Sequence, residues 1–290
     1  VSSSTFKNSY GQTYKALAKC SQSEDIDSLL LNVGKQHESG CRTRQQNIRR
    51  VVAYLRWATS SKGKFILDPD VWTAPREGQL GDYIGSKSRE LTIKTDNPTT
   101  PISDEDFFLL LDSLKDKLND KNANVRAQAE KWDLALRLTR VFGLRPIELQ
   151  YLQIRKNGKF TLWCTYSKRT STGGTEARRL FPIHKNWCEE WKLIEKVRSG
   201  APLPSMKSGG GQAFGTYFRF NETWKKLQKK GISAYSLRHA YAVAGHEKYN
   251  LNASILAPAM GHSVEVHNRS YSRWYGEKYL EDIFENATQS

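Results

Sequence analysis

The chain has 290 residues, of which 38% are hydrophobic and eight are tryptophan, so it can bury one large or two modest cores and is not a disordered chain. Its 45 Lys and Arg residues outnumber 30 Asp and Glu residues, which gives a formal net charge of +15 and a pI of about 9.6. The basic excess is present in both halves of the chain and favours a polyanionic partner. The alternative is a protein that is basic without such a partner.

The cysteines are scattered and lack CxxC spacing, which argues against a zinc site and predicts no metal: Cys20, Cys41, Cys164 and Cys188. Isolated thiols without a signal peptide predict an intracellular location. No apolar run approaches the length of a membrane span, so no membrane association is expected.

Residues 1–85 are predicted to form a helical domain of three main helices. The first covers about residues 5–18 with an apolar face of Phe6, Tyr10, Tyr14 and Leu17, and the second runs from about Glu24 until Gly34 ends it. The third covers about residues 42–60, and its apolar stripe is Ile48, Val51, Val52, Leu55 and Ala58.

The polar face of the third helix is rich in arginine: Arg42, Arg44, Arg49, Arg50 and Arg56. In a chain this basic, such a face is the expected surface for binding a DNA backbone, whereas the alternative is a face that is simply solvated.

Residues 86–101 are rich in polar and turn-forming residues and are predicted to be a linker to a second domain over residues 102–290. Ser103 is a suitable N-cap for a helix whose buried face is Phe107, Leu110, Leu111 and Leu114. Another helix covers about residues 125–141 and stops at Gly143. A strand over 159–165, a glycine-rich turn over 171–175 and a returning strand over 179–183 follow. The fold class is therefore mainly α, with a small antiparallel sheet.

Four residues occur in an order that suits phosphoryl transfer: Arg145, Arg238, His262 and Tyr271. Pro146 suits the first turn of a helix, so Arg145 stands at a helix start, where a guanidinium and backbone amides can bind phosphate oxygens. Tyr271 follows His262 by nine positions, and a tyrosine hydroxyl can act as a nucleophile. Such a set needs no metal and no nucleotide cofactor, and no glycine-rich phosphate loop is present.

The ordered motifs Gly143-Leu-Arg-x-x-Glu-Leu149, a hairpin lysine, Leu237-Arg-His239, Gly261-His262 and Tyr271 resemble those of the tyrosine recombinases, the phage-type integrases. The motif resemblance covers about residues 102–275, while residues 1–85 resemble the family only as a helical, basic domain. It implies a helical core DNA-binding domain followed by a catalytic domain with a C-terminal helical tail.

The resemblance also implies a role for each site residue. Tyr271 would attack a backbone phosphate to give a 3′-phosphotyrosine and a free 5′-hydroxyl. Arg145 and Arg238 would pair with the non-bridging oxygens, and His262 would donate a hydrogen bond to the same phosphate. Lys168 would protonate the departing 5′-oxygen, with a solvated hairpin lysine as the alternative.

Several neighbours of these residues need separate interpretations. Arg169 is adjacent to Lys168 and is assigned to DNA binding, because a guanidinium releases its proton too reluctantly for acid catalysis. Tyr235 stands where the family usually has His or Lys; a phenol can donate a hydrogen bond but is a poor base. Tyr275 is a rival nucleophile to Tyr271. His239 and Glu148 are interpreted as supporting residues, and Tyr241 and Trp274 as packing residues.

The function predicted on this basis is site-specific DNA recombination, of an integrase or excisase type, by a metal- and ATP-independent strand transferase. Two alternatives remain open: a hairpin-telomere resolvase or type IB topoisomerase-like enzyme, and a catalytically silent architectural protein on the same fold. The expected partners are double-stranded DNA, a homotetramer on two DNA sites and accessory DNA-bending proteins. The location expected is cytoplasmic and associated with the nucleoid.

Overall fold

The computed structural model describes residues 3, 6–20, 23–86, 99–167, 169–170, 173–174, 176–206, 209–271 and 274. The chain forms two compact units, Val1–Asn97 and Pro98–Ser290. The predicted division into 1–85, a linker over 86–101 and 102–290 stays a prediction. Within the described residues, the helices are too short or too polar to traverse a bilayer.

The first unit is helical. A π-helical turn at Phe6–Tyr10 leads into helices that run in the order α1 (Gly11–Ala18), α2 (Ile26–Lys35), α3 (Arg42–Ala58) and α4 (Gly81–Ile84). The predicted apolar stripe of α3 is confirmed, because all five of its residues are buried in a core with Leu29, Leu30 and Val33 of α2. Asp25 caps α2 by accepting a hydrogen bond from the Ser28 amide.

One expectation for this unit was wrong. Gly34 does not end α2 but lies buried within it, where a Cβ would come within 2.9 Å of the Tyr83 carbonyl oxygen. The glycine is required by close packing rather than by a turn. The apolar face of the first helix is buried only in part: Leu17 packs against the core, whereas Phe6 is 52% exposed.

The second unit contains most of the helices. In chain order they are α5 (Asp104–Asp112), α6 (Lys115–Leu118), α7 (Ala123–Phe142), α8 (Lys185–Glu190), α9 (Leu193–Arg198), α10 (Gly210–Phe218), α11 (Glu222–Lys229), α12 (Ser236–Glu247), α13 (Ala253–Met260) and α14 (Val264–Tyr271). Ser103 caps α5 as predicted, accepting from the Asp106 amide at 3.0 Å, and the predicted buried face of α5 is confirmed. Helix α7 ends at Gly143, which adopts the left-handed conformation with φ +62°.

The small antiparallel sheet is also confirmed. Its strands are β1 (Leu152–Asn157), β2 (Lys159–Cys164), β3 (Arg169–Thr170), β4 (Gly173–Gly174) and β5 (Arg178–Arg179). β1, β2 and β5 form one sheet in that order, with Leu152 opposite Cys164 and Trp163 opposite Arg179; β3 and β4 form a separate pair.

The returning strand is shorter than the predicted 179–183. Leu180 still donates its amide to the Leu162 carbonyl, but Pro182 has no amide hydrogen and Ile183 donates to Val141 of α7 instead. The chain thus leaves the sheet early and joins the end of α7, next to Gly143.

Candidate active site

The end of α7 positions the first predicted site residue. Gly143 turns the chain, and Arg145 then precedes a 3-10 helix, Pro146–Tyr151, that has the proline at its first position. A Cβ on Gly143 would lie 2.7 Å from the ring of Tyr241, so this turn accepts no side chain without displacing α12. Tyr241 is itself buried, as its assignment to packing expected, and its hydroxyl donates to the Phe181 carbonyl at 3.1 Å.

Glu148 is the electrostatic centre of the site. Its carboxylate is fully buried and accepts from Arg145 Nη1 at 2.6 Å, from the Arg145 amide at 2.8 Å and from Arg178 Nη2 at 2.8 Å. Arg238 Nη1 lies 3.6 Å from the same carboxylate. Burial raises the pKa of Glu148, but the charges of Arg178, Arg238 and Arg145 outweigh it and hold that pKa below its ordinary value. Three guanidiniums share one carboxylate, which leaves a net positive charge.

Both predicted arginines are attached to the turn that precedes His262. Arg238 is almost fully buried and donates to the carbonyls of Gly143 and Met260, each at 2.6 Å. Arg145 Nη2 donates to the Gly261 carbonyl at 3.1 Å. Burial, and then the charge of Arg145, lower the pKa of Arg238 to about 10, so its guanidinium remains charged at neutral pH.

Arg145, Arg178 and Arg238 with Glu148 are called the arginine clamp below. His262 and Tyr271 face each other beside this clamp, with ring centroids 5.8 Å apart and planes 30° from parallel. Burial and the charge of Arg238 lower the pKa of His262 to about 3, so its imidazole is neutral. Neither ring nitrogen has a hydrogen-bond partner among the described residues. Burial raises the pKa of Tyr271, while the positive charge of Arg238 opposes the rise. The structure thus brings together Arg145, Arg238, His262 and Tyr271, as predicted.

The other predicted catalytic residues are less closely joined. Tyr235 is 44% exposed and lies at the start of α12, where its ring centroid is 6.4 Å from that of His239. His239 connects it to the cluster, since its ring contacts both Tyr271, at 5.5 Å, and Trp274, at 4.6 Å. Lys168 and Tyr275 lie outside the described residues, so their assignments stay predictions.

Most arginines on the basic face of α3, in the first unit, contact other groups of the same chain, which the sequence did not indicate. Arg44 donates to the Tyr83 carbonyl, Arg49 pairs with Glu77, Arg56 donates to the Pro75 carbonyl, and Arg50 lies over the Tyr10 ring. Arg42 is exposed at the start of α3. Their role in binding DNA stays a prediction, as does that of Arg169, which begins β3.

Sequence reasoning missed three members of this neighbourhood. Arg178 ties β5 to Glu148 and also donates to the Ala259 carbonyl at 3.1 Å. His246 and His267 form a buried contact beneath the rings of His262 and Tyr271. The signal for Arg178 was its place directly before the predicted returning strand of the hairpin. The histidines belong to no motif, and only the folded chain brings them together.

Solved structures of DNA-bound recombinases share this arrangement of helices and sheet. The Tn1549 transposon integrase in complex with a circular intermediate DNA matches with a TM-score of 0.55 at 15% sequence identity, over 99% of this chain and 94% of the integrase chain. A lambda integrase dimer bound to a core site matches at 0.51 and 15% identity, over 93% of this chain and 72% of that one. The XerH site-specific recombinase, bound to a palindromic difH substrate in a post-cleavage complex, matches at 0.50 and 14% identity, over 97% and 78%.

The chain has the tyrosine recombinase fold. Two curated proteins of Nostoc sp. (strain PCC 7120) are also similar to it in sequence: Excisase A is 26% identical over 174 residues and Excisase C is 28% identical over 208. These matches cover 57% and 64% of this chain but 35% and 39% of the excisases, so the chain spans little more than a third of the length of these relatives. No protein-family model matches it. The resemblance to tyrosine recombinases predicted from the motifs is confirmed at the level of the fold.

Proposed function

We propose that this protein is a site-specific DNA recombinase that cleaves and rejoins strands through a 3′-phosphotyrosine intermediate. The observation that carries the proposal is the set of three guanidiniums on the single carboxylate of Glu148, directly beside Tyr271 and His262. One carboxylate neutralises one of the three charges, and a phosphodiester is an anion that complements the remainder. The similarity to proteins named excisases and to recombinases solved with DNA supports the same function.

The proposed cleavage step exchanges one phosphoester bond for another. The Tyr271 Oη–phosphorus bond forms, the phosphorus–O5′ bond breaks, and the strand keeps its phosphate as a 3′-phosphotyrosine. The phenol proton passes to solvent water, and the departing O5′ gains a proton, for which Lys168 is the proposed donor. Because the bond energy is conserved in the ester, the step needs no cofactor, and attack of a 5′-hydroxyl on the phosphotyrosine reverses it.

The electrostatics of the site suit this step. Arg145 and Arg238 would stabilise the charge that develops on the non-bridging oxygens, and neutral His262 would donate one hydrogen bond to the same phosphate. The charge of Arg238 favours the phenolate of Tyr271, opposing the effect of burial. Tyr235, at the exposed edge, would contribute a hydrogen bond and not a base.

The proposed partner is double-stranded DNA, bound through the basic surface that the net charge of +15 provides. Strand exchange requires four active sites on two duplexes, so we propose a homotetramer, assisted by accessory DNA-bending proteins. A protein acting on DNA in this way would work in the cytoplasm, at the nucleoid.

A nicked suicide duplex that contains the protein's own target site tests the proposal. DNA recovered from covalent adducts with genomic fragments would define that site. The wild-type protein should form a covalent adduct without metal or ATP, and Tyr271→Phe should abolish it. Tyr249→Phe is the matched control, since Tyr249 is a partly exposed tyrosine of the same unit whose hydroxyl lies near His184.

The products distinguish the alternatives. An adduct that persists in Tyr271→Phe would assign the nucleophile elsewhere, with Tyr275 the first candidate. Hairpin products from one duplex would identify a resolvase, whereas tight binding with no cleavage would identify an architectural protein. Strand exchange between two duplexes is the result expected of a recombinase.

A further inference from the structure

We propose that His246 and His267 form a buried positioning pair that holds Tyr271 and His262 in place for phosphodiester attack. The proposal rests on the function proposed above, and neither histidine belongs to the motifs that suggested that function. Both are positioning residues, because they act through the groups that would touch DNA.

The pair connects two helices at the base of the site. His246, near the end of α12, and His267, in α14, are 2% and 0% exposed. Their Nε2 atoms are 2.8 Å apart, which is hydrogen-bonding distance. Helix α12 also contains Arg238, and α14 contains Tyr271. The contact between the two histidines therefore connects the helix that holds Arg238 to the helix that holds the proposed nucleophile.

The geometry of the pair requires opposite tautomers. The two Nε2 atoms face each other at 2.8 Å, and a neutral imidazole carries its single proton on one of its two nitrogens. One Nε2 therefore donates and the other accepts, so one ring carries its proton on Nε2 and the other ring carries its proton on Nδ1.

His267 reaches the site through ring contacts. It precedes Tyr271 by one helical turn, and their ring centroids are 4.6 Å apart. The His262 ring is also stacked on it at 5.1 Å, with planes only 13° apart. One imidazole thus contacts both the proposed nucleophile and a proposed phosphate ligand, and His246 fixes its orientation.

The two histidines hold the neighbouring rings in place without adding a charge to the site. Burial lowers the pKa of His267 to about 4, assisted by His246 and by the positive charge of Arg238, and burial also lowers the pKa of His246. Both rings are neutral at neutral pH, so they do not draw the Glu148 carboxylate away from its arginines or repel Arg238. A lysine or arginine in either position would do so.

Four variants separate positioning from general stability. His267→Leu removes the hydrogen bond and leaves His246 Nε2 buried without its partner. His267→Gln keeps a donor near the Nε2 position, and His246→Leu/His267→Leu removes both polar groups. His184→Leu is the matched control, because His184 is a buried histidine of the same unit that contacts Trp187 instead of the site.

The measurements are the single-turnover rate of adduct formation on the suicide duplex and the DNA dissociation constant at the same salt concentration. We expect His267→Leu to slow adduct formation roughly tenfold or more, because residues in contact within one network are energetically coupled. The DNA affinity should be unchanged. Gln should restore most of the rate, and the double variant should slow adduct formation no more than His267→Leu does, because His246 acts through His267. His184→Leu should leave the rate unchanged.

The outcomes for the pair and for the proposed function are separable. Absence of an adduct in the wild-type protein would refute the function, whereas a wild-type adduct with an undiminished His267→Leu rate would refute the positioning role alone. Nitrogen-15 NMR of the histidine rings tests the pair without activity and without a variant that must fold. Opposite tautomers for His246 and His267 are expected, and the same tautomer on both would overturn the pair.

Discussion

Arg178 and Glu148 are joined by a 2.8 Å hydrogen bond between Nη2 and Oε2, although thirty positions separate them in the chain. The bond connects the last strand of the sheet to the 3-10 helix that follows Arg145. Arg178 also donates to the Ala259 carbonyl in α13, so this side chain joins three separate segments around the candidate site. The arginines of the site are therefore held by one shared carboxylate, that of Glu148, which is itself buried.

Replacing Glu148 with Gln should destabilise the protein strongly. The change leaves three guanidiniums without their common carboxylate in a buried setting, and breaking such a set costs about 3–5 kcal/mol. The free energy of unfolding in urea is the measurement. Glu265→Gln is the control, because its ion pair with Arg269 is exposed and should contribute less than about 1 kcal/mol. Equal effects of the two changes would contradict the central role of Glu148.

Replacing Gly143 with Ala should lower the free energy of unfolding by more than the strain of the left-handed backbone conformation alone. Gly143 and Gly158 have similar positive φ values, +62° and +67°, so an alanine at either site pays about 1–2 kcal/mol for the left-handed conformation. Of these two sites, only Gly143 has a neighbour among the described residues within 4 Å of the new Cβ, the Tyr241 ring at 2.7 Å. The difference between the two variants in unfolding free energy measures that clash, and we expect about 1–3 kcal/mol more at Gly143.

Stability should fall as the solution is acidified, before the carboxylates titrate. Burial, first among the causes, lowers the pKa of His184 to about 4, of His262 to about 3 and of His267 to about 4. Their unfolded pKa is about 6.5, so between that value and about 4 the unfolded chain binds protons that the folded chain excludes. The free energy of unfolding should be full above about pH 6.5 and decline below it.

Urea unfolding at several pH values tests this dependence. A variant such as His267→Gln should show a shallower decline, because one of the excluded protons is gone. A wild-type protein whose stability is constant between about pH 6.5 and pH 4.5 would contradict the neutral state of these histidines.

DNA binding should weaken steeply with salt, and Arg42 should contribute to the slope. If the exposed guanidinium of Arg42 neutralises one phosphate, then Arg42→Ala should reduce the slope of log K against log salt by about 1. Arg269→Ala is the control, since Arg269 is an exposed arginine paired with Glu265. Binding titrations at four salt concentrations supply the slopes, and equal slopes for Arg42→Ala and wild type would remove Arg42 from the DNA-binding surface.

Local signals predicted much of the fold. The N-cap at Ser103, the buried stripe of α3 and the turn at Gly143 depend on residues close in sequence, and each is confirmed. The motif order also brought Arg145, Arg238, His262 and Tyr271 to one place, as expected.

Contacts between distant segments could not be predicted in the same way. The early end of the returning strand depends on Val141 accepting the Ile183 amide, and the burial of Gly34 depends on the approach of Tyr83. The pairing of His246 with His267 likewise appears only when α12 meets α14. None of these partners lies within the range over which helix or strand periodicity operates.

The arginines of the site donate to main-chain oxygens of Gly143, Ala259, Met260 and Gly261 as well as to Glu148. A carbonyl is present whichever side chain accompanies it, so the bonds to Ala259 and Met260 do not depend on the identity of those two side chains as long as the backbone keeps its path. Gly261 differs, because its φ is +71° and a Cβ there would lie 2.8 Å from Nη1 of Arg178. Insertion or deletion of one residue there would displace three acceptors together. Over evolutionary time the length of this segment and the glycine at position 261 should therefore stay constant, while the side chains at 259 and 260 can vary.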